Sequence, residues 1–117
     1  MIRHSPFDVR VELDGTTARV VPSGELDLAT APQLQEKVRS ALREAKQVVL
    51  DLSRLTFIDS SGLRVLIVLH DRAKAEGWTL SLLAPVGETW TIFRISGVDK
   101  HLPFVTQDGS RSEDGSR

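Results

Sequence analysis

The stretch Val48-Val49-Leu50-Asp51-Leu52 … Ile58-Asp59-Ser60-Ser61-Gly62-Leu63 decides the fold. Residues 47–52 form a short, almost unbroken apolar run, the pattern of a buried strand. After Asp59-Ser60-Ser61-Gly62 come Leu63, Val65, Leu66, Ile67, Val68 and Leu69. These predict a helix that starts at Ser60 or Ser61, runs to about Glu76 and is closed by Gly77. The two serines therefore sit where a helix offers unpaired N–H groups and the positive end of its dipole.

Upstream, Phe7, Val9, Val11 and Leu13 alternate with Asp8, Arg10, Glu12 and Asp14, the period of a strand with one wet face. Asp14-Gly15 is a hairpin turn leading into a second strand over residues 18–21. Pro22 lacks a ladder donor and predicts a bulge or the end of regular pairing. Residues 24–29 read as a loop. Thr30 and Gln33 have the spacing of a capping box, and Pro32 is tolerated in a first turn. Ala31, Leu34, Val38, Ala41, Leu42 and Ala45 then give an amphipathic helix.

Downstream, residues 78–83 predict a strand, Pro85-Val86-Gly87 a loop, and residues 88–96 a third helix stopped by Gly97. Residues 101–106 predict a last short strand, and residues 107–117 a disordered polar tail after a domain spanning 1–106. The order is ββαβαβαβ. It predicts an α/β fold, a mixed sheet with an N-terminal hairpin and later parallel strands joined by right-handed crossovers, packed with about three helices. Loops after parallel strands open at one edge of a sheet. Asp27, Ser60-Ser61 and residues 85–87 are therefore expected on one rim.

At 117 residues the chain is one domain with a net charge of −1. The mixed charges argue against nucleic-acid or anionic-membrane binding. The absence of cysteine excludes thiol catalysis and thiolate metal sites. Residues 1–6 hold no signal-peptide core, and the apolar run 65–69 is too short to cross a bilayer. The expectation is a cytoplasmic protein with no metal and no cofactor.

The serine pair has three readings. Asp59 or Ser60 caps the helix, contributing about 1 kcal/mol. This leaves Gly62 unexplained, since glycine early in a helix costs up to about 1 kcal/mol relative to alanine. A surface that must approach the backbone closely would explain it. A nucleophilic serine needs Gly-x-Ser-x-Gly and a base; Ile58 stands where the first glycine would be, and His70 lies ten residues along the helix. His4 and His101 have no sequence reason to approach Ser60. A phosphorylated serine carries nearly two negative charges, which helix N–H groups can satisfy while a docked partner is repelled. On this reading Leu63 faces a partner, and Asp27 either makes an Asx turn or touches that partner. Trp78 and Trp90 read as structural.

Residues 48–53 and 57–63 together resemble the signature of STAS domains, and more narrowly of bacterial anti-sigma-factor antagonists. Gly24-Glu25-Leu26-Asp27 and Ser96-Gly97-Val98-Asp99-Lys100 match two further motifs of that family. The resemblance covers residues 7–106. It implies a protein without enzymatic activity that binds an anti-sigma factor, itself an ATP-dependent serine kinase, and so releases a sigma factor. It implies phosphorylation of Ser60, with Ser61 the alternative, and reversal by a metal-dependent serine phosphatase. Asp27, Asp59, Ser61, Gly62 and Leu63 would form the partner-binding surface. Other STAS modules serve stress-signalling complexes or lipid-transport assemblies, and a serine hydrolase or nucleotidase is the alternative of a different class.

Overall fold

The computed structural model describes residues 6–105. The expected tail over 107–117, Thr106 and His4 lie outside the described residues. The elements are β1 (Asp8–Asp14), β2 (Thr17–Leu26), α1 (Ala31–Ala41), β3 (Gln47–Asp51), β4 (Leu55–Ile58), α2 (Ser60–Glu76), β5 (Thr79–Leu83), α3 (Gly87–Ser96) and β6 (Phe104–Val105). A single 3-10 turn over Val98–Lys100 precedes β6.

Six strands form one mixed sheet in the order β1-β2-β3-β5-β6, with β4 attached to β2. The β1–β2 hairpin is antiparallel and every other pairing is parallel. The predicted α/β class, the hairpin and the three helices are all present. The element order gains one strand, β4, in a stretch to which the sequence pattern assigned no element.

This strand also corrects the reading of β2. Pro22 does not end it. The first half of β2 pairs with β3 as far as Val20, and its second half pairs with β4 from Gly24. Pro22 falls in the gap between the two. Gly24, expected in a loop, lies inside the strand at φ +96°, where β2 shifts register against β4. A side chain there would also press on the Cα of Phe7, 3.2 Å from an added Cβ. Glycine is the residue that accepts both conditions.

The register places Ala18, Val48 and Leu80 side by side, and likewise Val20, Leu50 and Leu82. All six are buried. Helix α1 covers β1 and β2 through Ala31, Leu34, Val38 and Ala41, while α2 covers β5 and β4 through Val65, Leu66, Leu69 and Ala73. Phe93 of α3 is fully buried and meets Phe104 edge to face at 5.6 Å, with Trp90 stacked at 5.9 Å. Trp90 is therefore structural. Trp78 packs against the core too, and its indole N–H donates to Glu76 at 3.0 Å.

One ionic contact ties β2 to β3 on the sheet's other face. Asp51 is 2% exposed and accepts from the guanidinium of Arg19 and from the hydroxyl and N–H of Ser53. Burial alone would raise its pKa, but the Ser53 hydroxyl, Arg19 and the Ser53 N–H together hold it below the ordinary carboxylate value. Sequence reasoning passed over this pair. The signal was an acid inside an apolar run, but its partner stands 32 residues away.

Candidate functional site

Strands β2 and β4 end together, with Leu26 opposite Ile58. Asp27 and Asp59 are thus the first residues past two neighbouring parallel strands. The Asp59 N–H donates to the Leu26 carbonyl at 3.3 Å, which joins the two strand ends. The expected meeting of Asp27 with the serine segment on one rim is present, and the loop after β5 opens at the same edge of the sheet.

Each aspartate is occupied with its own backbone. Asp59 is the N-cap of α2, and its Oδ1 accepts from the Gly62 N–H at 3.0 Å. Asp27 makes the Asx turn. Its Oδ1 accepts from the N–H groups of Ala29 and Thr30 at 3.0 and 3.1 Å. The predicted capping box from Thr30 does not form. The Thr30 hydroxyl instead accepts from the Asp27 N–H at 2.9 Å and donates to the Glu25 carbonyl at 2.8 Å. It is used to fold the β2–α1 corner, so none of it remains for the helix end.

Gly62 is buried, and the surface that approaches it belongs to the chain itself. A Cβ there would lie 2.6 Å from both the Leu26 carbonyl oxygen and Ile58 Cγ1. The glycine lets α2 start directly on the ends of β2 and β4. Gly62, expected on the partner surface, thus has an internal packing role.

With Asp59 taking the Gly62 N–H, the N–H groups of Ser60 and Ser61 remain without an acceptor among the described residues. Ser60 is exposed at the first position of α2, whereas Ser61 is half-buried. Both line an open depression of about 350 Å³ together with Leu63, Arg64 and Ile67. Leu63 is half-buried, touching the core and the depression at once. Ile67, one turn on, is 38% exposed and extends the apolar side. Arg64 and Ile67 follow Ser60 at the spacing of one helix face.

The arrangement offers an accessible hydroxyl, free N–H donors, a cation and an apolar wall. His70 is half-buried and ten residues along α2, a rise of about 15 Å from Ser60. Among the described residues no group of three or more histidine, cysteine or acidic side chains could hold a metal ion. Among them, too, no helix is long and apolar enough to cross a membrane.

Comparison with known proteins gives a consistent picture. The family described as Mlab, STAS domain matches residues 9–106. Osmosensory protein A of Mycobacterium tuberculosis is 32% identical over 76 residues, 65% of this chain and 48% of that protein. The chain thus spans about half the length of this curated relative. A solved anti-sigma factor antagonist from Mycobacterium paratuberculosis superimposes with a TM-score of 0.73 at 27% identity, over 85% of each chain. The Bacillus cell fate determinant SpoIIAA, solved in its phosphorylated form, shares the fold with a TM-score of 0.63. It is 23% identical, over 86% of this chain and 94% of that one.

Proposed function

The chain belongs to the STAS domain family, and from that premise we propose that it is an anti-sigma-factor antagonist whose binding is controlled by phosphorylation of Ser60. In the unmodified state the rim formed by Asp27, Asp59, Ser61 and Leu63 docks an anti-sigma factor that is itself a serine kinase, and a sigma factor is released. The kinase transfers the γ-phosphoryl group of ATP to Ser60 Oγ; the hydroxyl proton leaves and ADP departs. A serine phosphatase hydrolyses the ester and restores the docking form.

The observation that carries this reading is the setting of Ser60. It is exposed, it opens a helix whose first N–H groups are free, and its neighbour Asp59 already fulfils the capping role. A phosphate there meets donors without disturbing the fold. The partner, by contrast, meets a strongly hydrated anion at its interface. A hundredfold loss of affinity requires only about 2.7 kcal/mol. The half-buried position of Ser61 favours Ser60 as the acceptor. The relative named for osmosensing supports a stress-related signal upstream.

Incubation with the cognate kinase and ATP tests the proposal. One phosphate is expected on the intact chain, absent in Ser60→Ala, and the phosphorylated form no longer binds the kinase. A protein that stays unmodified, or binds equally well when modified, would overturn it. A second reading is a STAS module of another assembly, such as a lipid-transport accessory. Affinity capture with Ser60→Ala separates the two, because it retains either a kinase or transport components.

A further inference from the structure

We infer that Arg64 is a clamp in the same chain for the phosphate on Ser60, folding one helical turn back to hold it. The inference deepens the phosphorylation reading above and rests on it.

Ser60 and Arg64 stand four residues apart on α2, which puts their Cβ atoms about 6 Å apart on one face. Both line the same depression, and Arg64 is its one cation. Arg64 is exposed, and among the described residues no carboxylate pairs with it. Arg72, two turns further along the helix, is held by Glu76 at 3.8 Å. The order also favours the clamp, since an anion four residues before a cation is the better arrangement on a helix.

The surrounding charges add to the case for such a clamp. Asp59 directly precedes Ser60, and Asp27 directly follows the adjacent strand. Both carboxylates repel a phosphate dianion. The free N–H groups of Ser60 and Ser61 carry only partial charge. A guanidinium supplies a full charge and two parallel donors that match phosphate oxygens. Leu63 and Ile67 line the same hollow on the apolar side. Once Arg64 turns to the phosphate it is no longer presented to a partner. Modification then removes a cation from the docking face as well as adding an anion.

The test uses the full chain with phosphoserine placed at position 60 by genetic encoding, so that no kinase is needed. The readout is a 31P NMR pH titration. The second ionisation of free phosphoserine lies near pH 6. Arg64→Gln is expected to raise that pKa by about half a unit relative to the parent. Arg64→Lys should recover part of the difference, and about 1 M salt should abolish it. Identical titrations of the parent and Arg64→Gln would overturn the clamp while leaving the function proposal intact. Failure of any kinase to modify Ser60 would do the reverse.

Discussion

Gly62→Ala puts two opposing effects in competition at one position. Helix propensity alone predicts a gain of about 1 kcal/mol. The geometry predicts a loss. The new methyl group would lie 2.6 Å from the Leu26 carbonyl oxygen, 2.6 Å from Ile58 Cγ1 and 3.0 Å from Leu26 Cγ. A side chain can rotate away, but the carbonyl belongs to a paired strand. Relief therefore requires the first turn of α2 to lift from the sheet. Overpacking of this kind costs about 1–3 kcal/mol. Lifting also stretches the bond from the Asp59 N–H to the same carbonyl, already 3.3 Å long, at a further cost of about 1 kcal/mol. The balance is a net loss of about 1–3 kcal/mol. For a chain of this size that lowers the melting temperature by roughly 4–10 °C. Urea denaturation should show an earlier midpoint with an unchanged slope. A variant as stable as the parent, or more so, would refute the claim that α2 rests on the strand ends at this distance.

Other perturbations give further checks. Ser60→Asp places one negative charge at the helix start, so its melting temperature should stay within about 2 °C of the parent. Its affinity for the kinase partner, measured by calorimetry, should fall about tenfold or more. Asp59→Ala removes the cap and should lose about 1 kcal/mol in denaturant titration, most of it recovered by Asp59→Ser. Arg19→Met leaves the buried Asp51 carboxylate with Ser53 as its remaining partner. Arg19 is half-exposed and solvent screens it, so the expected loss at pH 7 is about 1–2 kcal/mol. The native Asp51 pKa lies below the unfolded value, so its stabilisation is complete above about pH 4. It disappears as pH falls through the native value. The deficit of Arg19→Met should therefore shrink in acid, as followed by urea titrations across pH.

Period and punctuation made most of the architecture legible. The Asp14-Gly15 turn and the stop at Gly77 each correspond to local chemistry that tertiary packing left unchanged. The alternation from Phe7 to Leu13 located β1, but its expected dry face is incomplete, because Val9 is buried while Val11 and Leu13 are exposed. Strand β4 escaped because its burial runs in, out, out, in. The register shift at Gly24 places Leu55 and Phe57 opposite consecutive residues of β2 and passes over Thr56. No period of two survives such a shift. Pro22 misled for a related reason: a residue forbidden in the middle of a ladder is harmless where one partner strand gives way to the next. At the site, the tetrapeptide of Asp59 to Gly62 located the helix start. Asp27 could be placed on the same rim from topology alone. The reason for Gly62 could not, since it depends on the carbonyl of Leu26, 36 positions earlier. From the sequence Arg64 reads as one of several charges flanking the apolar face of α2. Its significance comes from sharing a hollow with Ser60.

The division of β2 between two neighbours has a mechanical consequence. The hairpin partner β1, the parallel strand β3 and the short strand that delivers Ser60 all hang from one continuous spine of ten residues. Under the proposed function, a mark written on Ser60 would therefore sit on a body braced by a single strand. The domain would then work like a stamped token, its outline constant while one spot on its face is inked and wiped clean, and a reader of that spot would need no change of shape to tell the two states apart.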